Sequence, residues 1–179
     1  GLGVEIEPWQ VVTSSMALAF LLGQKYPPGT KLYMVGESGV RLALEEKGFE
    51  ILSVENAPQA QVVMVGLDRA VTFEKIVEAA LLVRAGVPFY TTNTDKTFPT
   101  SRGEIPGGGA WVSVVTTATG VEPTVAGKPF PFLMELAIER LGTRKEETLV
   151  VGDRLETDIA AGQNVGCPTA LVLSGVSSR

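Results

Sequence analysis

Leu149-Val150-Val151-Gly152-Asp153-Arg154-Leu155-Glu156-Thr157-Asp158 is the stretch on which the reading of this sequence turns. An apolar run of strand length delivers Asp153 at its carboxyl end, and Asp158 follows in the first turn of the next predicted helix. Open α/β sheets place their ligands outside the carboxyl ends of the strands. Two carboxylates converging there suit a magnesium ion, which takes oxygen ligands and keeps several of its waters. The backbone amides of Arg154 to Thr157 and the helix start behind them can receive a phosphate. In the competing reading Asp153 is a turn residue and Asp158 complements the helix dipole. Spacing alone does not separate the two.

Upstream, Ala126-Gly127-Lys128-Pro129 also falls just past a predicted strand and before a helix. An isolated lysine there reads as a solvated surface residue. The order strand, Lys128, helix, strand, Asp153, helix changes that reading. Adjacent parallel strands of such a unit put Lys128 and Asp153 on one rim of the sheet, where the ammonium can offset phosphoryl charge. Asn93-Thr94-Asp95-Lys96 ends another strand and opens a polar stretch that runs to Gly109. Asn93 and Asp95 can read polar groups of a ligand, or can build turns through side-chain-to-backbone bonds. Gly107-Gly108-Gly109 lacks the Lys-Ser/Thr ending of a P-loop and reads as a helix start that needs close backbone approach. Asp68 also ends an apolar strand, but Ala70 stands where a second acid would be needed, so it is a poor nucleophile. Cys167 reads as a small packing residue.

Around these points, apolar runs of strand length alternate with helical patterns, the signature of a parallel α/β sheet. Strands are expected at residues 31–36, 61–67, 89–92, 124–127, 148–152 and 169–173. Helices are expected after Thr13 or Ser14, over 37–47, after Thr72, over 110–119, over 130–141 and over 157–164. The helix at 110–119 is valine- and threonine-rich, so its intrinsic propensity is poor.

Composition narrows the chemistry. The 179 residues include one cysteine and no histidine, which removes imidazole bases, histidine-ligated zinc and any internal disulfide. Catalysis must therefore run on carboxylates, Lys, Arg, hydroxyls, backbone amides and hard cations. Fifteen basic against twenty acidic residues give a net charge of −5, which argues against nucleic-acid binding. No apolar run approaches the roughly 18 residues of a membrane span. The start has no basic segment leading into an apolar one, so a cytoplasmic protein without a membrane partner is expected. The sequence begins at Gly1 rather than at methionine.

With Gly127-Lys128-Pro129 followed by Val151-Gly152-Asp153-Arg154-Leu155-Glu156-Thr157-Asp158-Ile159, the sequence resembles the haloacid dehalogenase (HAD) superfamily, in particular its NagD-like and para-nitrophenyl-phosphatase-like members. The resemblance extends over nearly the whole chain, through Val35-Gly36-Glu37, Val65-Gly66-Leu67-Asp68-Arg69, Thr92-Asn93-Thr94-Asp95, Pro106-Gly107-Gly108-Gly109-Ala110 and Leu173-Ser174-Gly175-Val176. It implies an α/β fold: a Rossmann-like core, of which only the C-terminal half is present, and a large α/β cap. The implied division is 1–10 as the end of a core-to-cap connection, 11–125 as the cap and 126–179 as the core half. It also implies a Mg2+-dependent phosphatase of small phosphorylated metabolites. Lys128 matches the lysine that stabilises nucleophile and phosphoryl group, Asp153 the metal-binding acid, and Asp158 the second acid of the metal shell. Arg154, Leu155, Glu156 and Thr157 match the loop beside metal and substrate. Asn93 and Asp95 match the cap loop that helps set specificity. A homodimer through the cap is among the assemblies the resemblance allows.

Two elements of the family pattern are absent: the D-x-D-G strand end, which carries the nucleophilic aspartate, and the Ser/Thr-bearing strand end before the cap. The resemblance therefore implies a fragment that turns over no phosphate ester by itself, although its parent works through an aspartyl-phosphate. A sheet lacking its central strand is expected to expose an unpaired edge. The alternative is a non-catalytic ligand-binding module that kept the cap and lost the chemistry. A receiver-like phosphoacceptor domain is disfavoured, because Lys128 precedes Asp153.

Overall fold

The computed structural model describes residues 3–177. The outermost two residues of the expected 1–10 and 126–179 segments lie outside the described residues. The strands β1 (Lys31–Val35), β2 (Glu50–Leu52), β3 (Val62–Val65), β4 (Phe89–Thr91) and β7 (Thr124–Val125) form one five-stranded sheet in the order β2-β1-β3-β4-β7, with every neighbouring pair parallel. β5 (Thr97–Thr100) and β6 (Gly103–Pro106) pair as an antiparallel hairpin, and β8 (Val150–Gly152) pairs in parallel with β9 (Thr169–Leu171).

The strict alternation of strand side chains decides which helices cover which face. Leu32, Met34, Val62 and Met64 pack with α1 (Ser14–Lys25) and α2 (Ser38–Glu46), and Phe132 at the start of α5 (Phe132–Leu141) joins them. Tyr33, Val35, Val63 and Val65 point the other way and pack with α3 (Phe73–Arg84) and α4 (Gly108–Thr119). Because β1 and β3 are buried on both faces, they read as continuous apolar runs. Thr13 caps α1 by accepting from Met16 N at 3.3 Å, and Thr72 caps α3 by accepting from Lys75 N at 3.3 Å. The poor propensity of α4 is overridden by packing, since Val112 and Val115 are buried in the second core.

Several expectations change. The polar stretch 93–109 is not a continuous loop. It contains the β5–β6 hairpin, which carries no apolar alternation because both its faces meet solvent. The short edge strand β2 escaped the sequence reading. The strand expected over 124–127 ends at Val125 and pairs with β4, Tyr90 opposite Thr124 and Thr91 opposite Val125. β8 lies in a different sheet, so Lys128 and Asp153 do not share a sheet rim as expected. The helix expected over 157–164 begins earlier, as a π-helical turn at Leu155–Ile159 that continues into α6 (Ala160–Val165).

The two sheets differ sharply in coverage. Among the described residues β8 pairs only with β9, and Leu149 and Val151 are each 58% exposed, whereas Leu32, Val35, Val62, Val63 and Val65 are fully buried. Amides with few buried apolar neighbours open at lower free energy than core amides. Hydrogen exchange should therefore be at least about tenfold faster in Val150–Gly152 and Thr169–Leu171 than in Leu32–Val35 and Val62–Val65, or ~1.4 kcal/mol in opening free energy. Uniform exchange across both sheets would contradict this picture.

Candidate active site

The site is built where three segments leave their strands. Lys128 follows β7, and the turn after β8 carries Asp153 to Asp158. The Asn93–Asp95 segment follows β4. Glycines let their backbones meet. A Cβ on Gly127 would lie 2.3 Å from the Thr92 carbonyl oxygen, and one on Gly109 would lie 2.3 Å from that of Thr94. Gly109 N donates to the Asp95 carbonyl at 2.8 Å, and Gly107 N to that of Lys96 at 2.9 Å. The triple glycine is thus the close-approach helix start expected of it.

Lys128 Nζ donates to Asp158 Oδ1 at 2.6 Å, and Arg154 N donates to Asp158 Oδ2 at 3.2 Å. Asp158 leans over Gly152, where a Cβ would sit 2.2 Å from its own Cβ. Asp153 is tied to the C-terminal turn instead. Its Oδ2 accepts from Val176 N at 2.8 Å, Ser177 N donates to its carbonyl at 3.0 Å, and Leu155 N donates to Ser177 Oγ at 3.3 Å. Burial pushes the Asp158 carboxyl up. The hydrogen bond and charge of Lys128, with the Arg154 and Asp153 amides, outweigh that and leave it below the usual aspartate range.

A cleft of about 420 Å³ opens beside this pair, and Asn93, Asp95, Lys128, Arg154 and Thr157 all line it. Leu155 and Glu156 are exposed and do not line it. Asp153 and Asp158 stand behind the lining, at the Lys128–Arg154 end. Val12, Ser14 and Leu133 line the cleft and were not singled out from the sequence. Thr13 signals a helix start, and nothing in its neighbours says that this helix end faces a cleft. Asn93 Oδ1 also accepts from Asp95 N at 3.2 Å, so the turn-building reading of this pair describes its local geometry.

Asp68 is nearly fully buried, bonded to Ala70 N at 2.8 Å and to Lys75 Nζ at 2.9 Å, which makes it a structural ion pair. Cys167 is buried and free, and burial pushes its thiol up. Among the described residues no three His, Cys, Asp or Glu side chains form a cluster that could hold a metal. Magnesium needs fewer protein ligands than that, since one or two carboxylates and water suffice. The donor set fits that demand: Asp153 offers its Oδ1, while both oxygens of Asp158 already accept from protein donors.

An α/β chain whose strand ends gather a lysine, two aspartates and a helical turn beside one cleft has the ligand placement of the open α/β folds. A HAD-hydrolase-like family model matches residues 125–179. The acid sugar phosphatase of Staphylococcus aureus is 44% identical over 175 residues, covering 98% of this chain and 66% of the relative. A single mutant of the thermostable NPPase from Geobacillus stearothermophilus is 44% identical with a TM-score of 0.91, covering 99% of this chain and 70% of that one. The glycerol phosphate phosphatase of Mycobacterium tuberculosis, solved with calcium and with magnesium, gives a TM-score of 0.91 for each complex. In the calcium complex it is 38% identical, covering 99% of this chain and 52% of that one. The chain belongs to the HAD-like hydrolases, among their NagD-like, p-nitrophenylphosphatase-like members. It spans 66% of the length of the curated relatives it matches.

The Lys128–Asp158 pair has a measurable signature. Because the folded Asp158 carboxyl titrates below its unfolded value of about 3.9, the pair's stabilisation is complete above that pH. It is lost as pH falls through the folded value. In Lys128→Ala, burial is opposed only by the Arg154 and Asp153 amides, and the Asp158 carboxyl should titrate higher than in the unsubstituted chain. Carboxyl ¹³C NMR reads this directly, and an unchanged titration would show that the ammonium does not hold the carboxylate.

Proposed function

We propose that these residues are the greater part of a Mg2+-dependent phosphatase of small phosphorylated metabolites, with 11–125 acting as cap and 126–179 as part of the core. The observation that carries this is the Lys128 ammonium held 2.6 Å from Asp158 at the head of a cleft lined by Arg154, Asn93 and Asp95. That arrangement keeps a positive charge fixed in place before substrate arrives, which is how charge developing on a transferring phosphoryl group is stabilised.

Lys128 faces the phosphoryl oxygens, and Asp158 orients Lys128. Asn93 and Asp95 meet the alcohol portion across the cleft, and the amides of Arg154 to Thr157 add hydrogen-bond donors. Asp153 would hold magnesium, which supplies charge neutralisation when bound. Both oxygens of Asp158 already accept protein hydrogen bonds, Asp153 is assigned to the metal, and the sequence has no Asp-x-Asp. In this reading the nucleophile is an aspartate of a longer parent. Its carboxylate oxygen displaces the alcohol to give an aspartyl-phosphate, and water then releases phosphate. A parent working in the cytoplasm accords with helices too short or too polar to cross a membrane, among the described residues.

The 179-residue polypeptide should release no nitrophenolate from p-nitrophenyl phosphate with magnesium present. Magnesium-dependent release that Asp153→Asn abolishes would overturn that expectation. In the parent, Lys128→Ala should lower kcat by about 10²–10³. Wild-type turnover in that variant would remove Lys128 from the mechanism. A parent that binds phosphate esters and turns over none would be the ligand-binding module instead.

A further inference from the structure

A second chamber of about 220 Å³ lies beside the cleft, and the two share Ser14 and Asn93 as lining residues. Its position follows from topology. In the order β2-β1-β3-β4-β7 the chain reverses direction across the sheet between β1 and β3, and such a switch point opens a crevice at the strands' carboxyl ends. Glu37 leaves β1 there, and Leu67 leaves β3.

Glu37 is placed for something other than holding its own helix. It occupies the N-cap position of α2, yet its side chain makes no capping bond. Arg69 draws it away instead. Arg69 Nε donates to Oε1 at 2.5 Å, its terminal nitrogen to Oε2 at 3.0 Å, and its backbone N to Oε1 at 3.3 Å. Arg69 does not line the chamber, whereas Glu37 does. The guanidinium thus fixes the carboxylate from outside and holds it below the usual glutamate range. Each carboxylate oxygen has two lone pairs, so Oε2, with one bond, keeps an acceptor direction free. Ser14, Ser15, Thr92 and Asn93 add polar residues to a lining that also includes Val40, Met64 and Leu67.

Resting on the phosphatase reading above, we propose that this chamber receives the far end of the substrate's alcohol part, beyond Asn93. Glu37, fixed by Arg69, is the specificity-determining carboxylate that favours small leaving groups bearing free hydroxyls. A hydroxyl donor satisfies the fixed carboxylate. An alkyl chain of the same length covers the free acceptor direction of Oε2 and brings no donor to it, and a site built to hydrogen-bond a hydroxyl discriminates against the analogue that lacks one.

The test compares inorganic phosphate, propyl phosphate and glycerol 3-phosphate binding to the 179-residue chain in magnesium-containing buffer, followed by amide NMR shifts. Inorganic phosphate should move Gly127, Lys128 and Arg154–Thr157. Glycerol 3-phosphate should additionally move Ser15, Gly39 and Leu67, and bind about tenfold more tightly than propyl phosphate, ~1.4 kcal/mol. Glu37→Gln and Ser15→Ala should each bring that ratio close to one; the second leaves the Arg69 pair in place. Equal affinity for the two esters in the unsubstituted chain, or a ratio unmoved by both variants, would overturn the subsite while leaving the phosphate end intact. No response to phosphate at Lys128 and Arg154–Thr157 would overturn this chain's share of the phosphate site, and the subsite that rests on it.

Discussion

The whole site depends on three backbone contacts that tolerate no side chain. The turn after β4 is clamped between Gly127 on one side and Gly107 and Gly109 on the other, and a Cβ at any of the three would fall within 2.4 Å of a carbonyl oxygen. This packing brings the start of α4, the end of β7 and the Asn93–Asp95 segment to one point. Remove the clamp and Lys128 loses its fixed distance from the Asn93–Asp95 segment. Thr91 Oγ1, bonded to the Asn93 carbonyl at 2.9 Å, and Ala126 N, bonded to the Thr91 carbonyl at 2.9 Å, lock the same junction from within. These are neutral contacts between backbone and hydroxyl groups, so neither pH nor salt changes this wall of the cleft directly.

The opposite wall is held differently. Asp158 keeps its place through Lys128 and Arg154, and Asp153 through the turn at 175–177. Gly175 is the counterpart of the clamp here, since a Cβ would overlap the Asp153 carboxylate at 1.8 Å. The absence of histidine first looks like a loss of catalytic options. It fits a site assembled from aspartates and a lysine, in which the Asp158 carboxylate is held low by an ammonium and no imidazole takes part.

How much of this could be read in the sequence follows from where burial writes a pattern. β1 and β3 were legible because covering both faces forces apolar residues at every position. Thr13 and Thr72 were legible as caps because capping is local chemistry. The β5–β6 hairpin was not, because two solvated faces impose no period, and its prolines at 99 and 106 sit in strands whose outer edges are unpaired. The residues of the cleft were legible as types, and their partners were not. Spacing allowed Lys128 to share a rim with Asp153. The pairing of β7 with β4 instead hands Lys128 to Asp158, across a gap between two sheets. Glu37 stands in the sequence only as a helix start within a matched motif, and its pairing with Arg69 across the switch point shows only in three dimensions.

The two sheets also divide the labour. The larger one is covered on both faces and supplies rigidity, so its strand ends can carry a shaped chamber and a fixed Glu37. The β8–β9 pair has α5 and α6 nearby, yet Leu149, Val151 and Leu173 remain open. Apolar side chains on a strand are costly to leave in water at about 25 cal/mol per Å². A strand so exposed along a free edge is also a template for further pairing. The acid-bearing turn therefore hangs from the less buried of the two units, and its geometry rests on a few hydrogen bonds to 175–177 rather than on a core. Any segment that completes this sheet would do two things with one set of contacts: bury Val151 and stiffen the turn that presents Asp153. Stability and chemistry in this part of the molecule are thus coupled through a single short strand.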